Sequence, residues 1–299
     1  MIKYCGKCNG LNIKKNWMKR WKQMYKCKDC WYVFHIYRKE KAIQSIWKEY
    51  VHNKRTYEDL AWIHHKSERT IQRYIKQAQV IEKERVWWKD VVIVMDATYF
   101  WRLFWIVVLR DYHNKRNLWY KEVSRENVEH YREWIDWLIK NWYRIMGIVC
   151  DGRRWVLGWF WNIPMQMCIV HQKRIIRRYI TSHPKQEANI ELKDIVFMLG
   201  KIRSNTWLLM LDDWKKRYTE FLNEKSVSWK WYMHERTRKA YRSLKSNEKY
   251  LFTYEKYTNI PSTTNCLEWE FSHLKTHTRI HRGLERNVKA KLCFEFLSR

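Results

Sequence analysis

The sequence predicts an α/β protein in which two small modules, a zinc ribbon and a helix-turn-helix, precede a larger domain of sheet and helix. Three observations carry that reading. Two Cys-x-x-Cys pairs stand near the N-terminus, a short helix is followed by a Ser-initiated one, and from residue 90 β-rich runs alternate with helical stretches.

The first module is residues 1–37. Cys5-x-x-Cys8 and Cys27-x-x-Cys30 are separated by 18 residues, a spacing at which two knuckles can close a tetrahedral thiolate site, four incidental cysteines being the plainer alternative. So short a segment cannot build a core, and bound Zn²⁺ would supply its folding energy. Four thiolates leave no open coordination position, so the metal is expected to be structural. The stretch between the pairs is basic, with Lys14, Lys15, Lys19, Arg20, Lys22 and Lys26.

Residues 38–85 form the second module. "KAIQSIWKEYV" sets Ala42, Ile43, Ile46 and Val51 on an apolar stripe. "YEDLAWIHH" follows, and "SERTIQRYIKQAQ" opens with Ser67 placed to cap a new helix. This is the layout of a helix-turn-helix, with Arg69, Gln72, Arg73 and Lys76 on one side of its last helix. Arg and Gln suit base edges in a major groove. An ordinary solvated helix pair would carry the same residues.

The larger domain opens with residues 86–180. "VVIVMDATYF" (91–100), "RLFWIVVLRD" (102–111) and "NLWYKEV" (117–123) read as a three-strand meander. Residues 124–142 are helical, with Val128, Tyr131, Trp134, Ile135 and Leu138 at helical spacing. "IMGIVC" (145–150) is a short buried strand ending at Asp151, and after a helical stretch "MQMCIVHQ" (165–172) reads as a further strand. The order is βββαβαβ. Basic, helix-like sequence fills 173–260, and the last segment leads through polar residues into one closing helix.

Lys and Arg number 60 against 31 Asp and Glu, a formal charge of +29. That surplus calls for a polyanionic partner, and nucleic acid is the most economical. A membrane surface competes, but no apolar run approaches the ~18–20 residues of a spanning helix, and no signal peptide is visible. A soluble, cytoplasmic, nucleoid-associated protein is expected. Eight cysteines in such a chain read as metal ligands before disulfides.

Asp96 closes "VVIVM" and Asp151 closes "MGIVC". If those strands are neighbours, the two carboxylates emerge side by side, and a third from a helix over that edge would complete a cage for Mg²⁺ (or Mn²⁺). Glu268 is the best candidate, with Glu270 and Glu285 also available. Hard cations on such oxygens support phosphodiester cleavage and transfer. Plainer roles exist for each: a turn residue for the aspartates, and an N3 capping partner of Asn265 for Glu268. Cys168-x-x-His171 is too small a set for a structural zinc, and Cys168 could be simply a buried strand cysteine.

"MDATYF…LRD", "VCDGRR…IPMQMCIVH" and "IPSTTNCLEWEFSHLKTH" are similar, in order and wording, to DDE transposases of bacterial insertion sequences. The closest group is the Mutator-like type, in the variant with an N-terminal zinc ribbon, and the resemblance spans nearly the whole chain. It implies a ribonuclease-H-like catalytic core (86–180 and 259–299) interrupted by a helical insertion (181–258). In that resemblance Asp96, Asp151 and Glu268 match the acidic triad, and Cys168 and His171 match a Cys-x-x-His motif. It implies hydrolysis at an element end, then attack of the freed 3′-hydroxyl on target DNA, with no covalent protein–DNA intermediate. The two N-terminal modules would hold terminal inverted repeats in double-stranded DNA, and at least a dimer is expected on DNA. A non-catalytic DNA-binding protein and a structure-selective nuclease on the same core are the alternatives.

Tryptophan departs from the pattern. Trp31, Trp101, Trp105, Trp142, Trp155 and Trp269 stand where the motifs lead one to expect glycine. The chain has only 7 Gly against 21 Trp, far below the ~7% glycine of ordinary proteins. We therefore expect that UGA encodes glycine in the source organism and is written here as tryptophan. Genuine base-stacking tryptophans and a decayed copy are the rival readings.

Overall fold

A computed structural model describes the chain except residues 1–4, 6, 9, 20–21, 36–38, 81–89, 101–103, 153–161, 229, 282 and 299. Backbone proximity divides it into two compact units, Met1–Val80 and Ile81–Arg299.

The first unit begins with a three-stranded antiparallel sheet, β1 (Ile13–Lys19), β2 (Lys22–Cys27) and β3 (Val33–His35), in the order β1-β2-β3. Three helices follow: α1 (Lys39–His52), α2 (Tyr57–Ile63) and α3 (Glu68–Gln77). The buried stripe of α1 is Ile43, Ile46, Trp47, Tyr50 and Val51. Ala42, expected on that stripe, is exposed, because the larger Trp47 and Tyr50 turn the buried face away from it. Leu60 of α2 and Ile71 and Ile75 of α3 complete the small core. Thr56 and Asp59 form a capping box at the start of α2. Ser67 caps α3 as expected, accepting from the Thr70 N–H at 3.3 Å.

The second unit is built on a mixed sheet. Strands β4 (Asp90–Phe100), β5 (Phe104–Asp111) and β6 (Arg116–Val123) form an antiparallel meander. After α4 (Val128–Lys140), β7 (Arg144–Cys150) returns parallel to β4, and β8 (Met165–Met167) lies parallel to β7. The order across the sheet is β6-β5-β4-β7-β8. The last strand is shorter than its sequence suggested. It ends at Met167, and α5 (Ile169–Ile180) begins at once, with Ile169, Gln172, Ile176 and Ile180 buried at helical spacing. His171 therefore sits on a helix and Cys168 at its N-cap, not within a strand. The helical stretch expected between β7 and β8 falls largely outside the described residues.

Both faces of β4 are covered, which is why it reads as an unbroken apolar run. Val91, Ile93 and Met95 pack with Tyr131, Ile135 and Leu138 of α4 and Ile169 and Ile176 of α5. Val92 and Val94 face α11 (Asn265–Ile280) and α12 (Arg286–Leu297), through Leu267, Phe271, Leu274, Ala290 and Cys293. The first core continues into the helical region, α6 (Glu187–Met198), α7 (Ser204–Arg217), α8 (Thr219–Asn223), α9 (Glu235–Leu251) and α10 (Thr253–Lys256). Trp207 and Trp214 are fully buried there, and their indole N–H groups donate to the carbonyls of Ile195 (2.8 Å) and Ala188 (2.9 Å). The closing segment forms two helices rather than one, because Gly283 takes φ +77° in the turn between α11 and α12. Among the described residues, no helix is long and apolar enough to cross a membrane.

Two of the suspect tryptophans have left-handed backbone, Trp31 (φ 60°) and Trp142 (φ 64°). Trp142 is the C′ residue after α4. Its N–H reaches the Ile139 carbonyl (3.1 Å), and the Tyr143 N–H reaches Leu138 (3.0 Å). That pair of bonds is the Schellman ending, in which C′ is normally glycine. Trp105 lies in β5 and Trp269 in α11, where the backbone makes no such demand. Trp101 and Trp155 fall outside the described residues.

Candidate active site and thiolate centre

The sulfur atoms of Cys5, Cys8, Cys27 and Cys30 all lie within 4.8 Å of one another, close enough to hold one metal ion. Each knuckle faces the other: Cys5 Sγ is 3.5 Å from Cys30 Sγ and Cys8 Sγ is 3.6 Å from Cys27 Sγ. Four sulfurs at ~2.3 Å from a tetrahedral Zn²⁺ would be separated by roughly 3.8 Å, so the donor set fits that ion. The knuckle backbones are tied by Cys5 N–H to Gly10 O (2.9 Å) and Cys27 N–H to Tyr32 O (3.0 Å). Trp31, exposed just after the second knuckle, lies under Lys26 at 4.2 Å.

In α3, Arg69, Gln72, Arg73 and Lys76 are all exposed, while Ile71 and Ile75 point inward. The four polar side chains thus share one outer face of a capped helix, as the sequence suggested.

Strand register brings the two aspartates together. In the parallel pair β4/β7, Ile93 lies opposite Ile148 and Val94 opposite Val149. Continuing two residues places Asp96 opposite Asp151. Alternation along β4 puts Asp96 in the row of Val92 and Val94, the face covered by α11, and Asp151 follows directly on β7. Gly152 follows with φ +81°, and a side chain there would collide with Met167, so the chain can turn sharply after Asp151. Asp96 accepts the Ala97 N–H at 2.8 Å. Burial pushes its carboxyl up to about 7; the Asp151 and Glu126 charges add to this, and His171 and the Ala97 N–H oppose it.

Glu268 reaches the same edge from the first turn of α11. It is not a capping residue: Thr264 is the N-cap, without a side-chain cap bond, and the Glu268 carboxylate is turned to α5. Arg174 Nη1 donates to Oε1 (2.7 Å) and Nη2 to Oε2 (2.8 Å), and His171 Nε2 stands 3.7 Å from Oε1. The two other candidate glutamates are placed elsewhere. Glu285 is the N-cap of α12. Glu270 accepts from Arg110 (2.6 Å) and Asn117 (2.9 Å), and Asn117 also donates to Leu297 O (2.9 Å). This mostly buried network ties α11 to the meander and the C-terminal helix, and so fixes where Glu268 stands.

The Cys-x-x-His pair belongs to this edge. Cys168 Sγ accepts from the Thr264 N–H (3.3 Å) and hydroxyl (3.4 Å), joining α5 to the start of α11. Burial works against the Cys168 thiolate, but His171 and Thr264 outweigh it and lower its pKa. Burial likewise opposes a charged His171, yet Cys168, Asp96 and Asp151 raise its pKa. Sequence reasoning missed Arg174, Glu126 and Tyr131. Tyr131 donates to Glu126 at 2.7 Å, and Asp96 and Asp151 lie close enough to raise the phenol pKa, after burial and Glu126. Arg174 stands one helical turn beyond His171, a signal legible once 169–180 is read as helix. Glu126 carries no such signal.

Among the described residues, the four cysteines are the one set of three or more His, Cys, Asp or Glu ligand atoms lying so close together. Asp96, Asp151 and Glu268 are not gathered that closely, and Glu268 is paired with Arg174. Comparison with protein-family models and with curated proteins yields no match for this chain.

Proposed function

We propose that the protein is a DNA transposase of the DDE type, with a ribonuclease-H-like core. One observation carries the reading: the β4/β7 register, carried two residues past Val94 and Val149, would set Asp96 and Asp151 side by side near the helix that supplies Glu268. The sheet order, an antiparallel trio followed by two parallel strands, supports the same core. The oxygen donors suit a hard divalent cation, since two adjacent carboxylates at a partly buried edge otherwise repel one another. Asp96, Asp151 and Glu268 would hold Mg²⁺ or Mn²⁺, which when bound activates an attacking oxygen and stabilises the leaving one.

The chain's own residues do the rest. Arg174 presents positive charge, and His171 a ring nitrogen 3.7 Å from Glu268, at the edge where a scissile phosphate would sit. The exposed Arg69, Gln72, Arg73 and Lys76 face of α3 would read the element ends, and the cysteine centre, holding Zn²⁺, would order the basic strands beside it. The charge of +29 suits double-stranded DNA as partner. Joining two ends calls for at least a dimer on DNA, at the nucleoid in the cytoplasm.

The test is strand cleavage of DNA carrying the sequences that flank the gene. Wild-type chain with Mg²⁺ or Mn²⁺ is expected to leave a 3′-hydroxyl at a fixed position, and Asp151→Asn to lose cleavage by at least ~10³-fold while retaining binding. Cleavage that survives in Asp151→Asn would remove that residue from the chemistry.

A further inference from the structure

Resting on the metal-dependent reading above, we infer that Arg174 is a positioning residue that holds Glu268 away from the two aspartates until a DNA phosphate takes its place. The guanidinium occupies both carboxylate oxygens, at 2.7 and 2.8 Å. A carboxylate so engaged cannot also serve a divalent cation well, because the cation and the guanidinium would repel at one edge.

The grip is built to exchange. Arg174 is half-exposed, so water screens the pair and its hold is weak. A phosphodiester offers the same fork an equivalent two-oxygen partner. The helix carrying Glu268 need not move, since Glu270, Arg110 and Asn117 anchor α11 to the sheet. In the proposed exchange, rotation of the Glu268 side chain would turn it from Arg174 toward Asp96 and Asp151. The site would therefore take its cation fully only with nucleic acid present, which guards a phosphodiester-cutting centre against idle cation loading.

The experiment measures Mn²⁺ affinity of the full chain without DNA, by isothermal calorimetry and by the electron paramagnetic resonance signal of free Mn²⁺. Wild type, Arg174→Gln, Glu268→Gln and the double variant form a cycle, with circular dichroism checking the fold of each. Arg174→Gln is expected to bind Mn²⁺ about two- to fivefold more tightly than wild type. That gain should vanish in the Glu268→Gln background. A short uncleavable duplex should tighten Mn²⁺ binding by wild type and leave Arg174→Gln nearly unchanged. An equal gain with and without Glu268 would mean that Arg174 acts by charge alone and would overturn the proposal; so would an unchanged affinity. No step of this cycle reads cleavage. A chain that cuts DNA but shows no coupling thus loses the latch and keeps the function, whereas binding by no variant defeats the cation site as well.

Discussion

Trp142 shows what a single side chain reports about the gene. It occupies the C′ position of a Schellman ending at φ 64°, with its indole exposed. An L-residue with a Cβ in that region costs ~1–2 kcal/mol, which glycine avoids. Trp31 has the same backbone just after the second Cys-x-x-Cys pair. Other tryptophans belong where they stand: Trp47, Trp207 and Trp214 are fully buried, and the latter two have their N–H groups satisfied. The expected recoding is thus selective in its physical mark. Trp142→Gly should raise the unfolding free energy by ~1 kcal/mol. Trp269→Gly, in the interior of α11, should lower it by about the same amount. Urea midpoints at constant slope measure both, and the codons at 31 and 142 should be UGA. A destabilised Trp142→Gly would mean that the indole belongs there.

At the scale of elements, the cysteine centre makes the sharpest demand. The three short strands beside it bury little, so on the proposed reading a bound metal supplies their order. One Zn²⁺ per chain is expected by atomic emission. Cys8→Ser or a strong chelator should abolish it and melt the amide signals of 10–35, leaving Ile81–Arg299 folded. Retention of those signals without metal would contradict the structural role. Most elements were legible in the sequence. The paired knuckles, the Ser67 cap, the meander and Asp151 just past β7 each rest on a local pattern that tertiary contacts preserve, whereas Asp96, expected to close its strand, lies inside β4 opposite Val108, because pairing with β5 carries that strand on to Phe100. What was not legible depends on contacts far apart in sequence. The end of β8 at Met167 reflects Cys168 bonding to Thr264, 96 residues away. The break between α11 and α12 turns on Gly283, which periodicity alone passes over. The Arg174–Glu268 pair joins two helices whose meeting no spacing rule foretells.

For the whole molecule, two compact units divide the labour. The first presents a thiolate centre and a polar α3 face; the second presents three carboxylates at one sheet edge. With a formal charge of +29, DNA binding is expected of a transposase and of a passive binder alike, so binding alone would discriminate little between the two proposals. Chemistry discriminates. The most direct test replaces Asp151 by cysteine and follows DNA cleavage in Mg²⁺ and in Mn²⁺, since a thiolate is a poor ligand for the harder ion. Asp151→Cys should cut in Mn²⁺ and fail in Mg²⁺, while wild type cuts in both. Equal cleavage by Asp151→Cys in the two metals would contradict direct coordination at Asp151, and with it the claim that this sheet edge is the cation site.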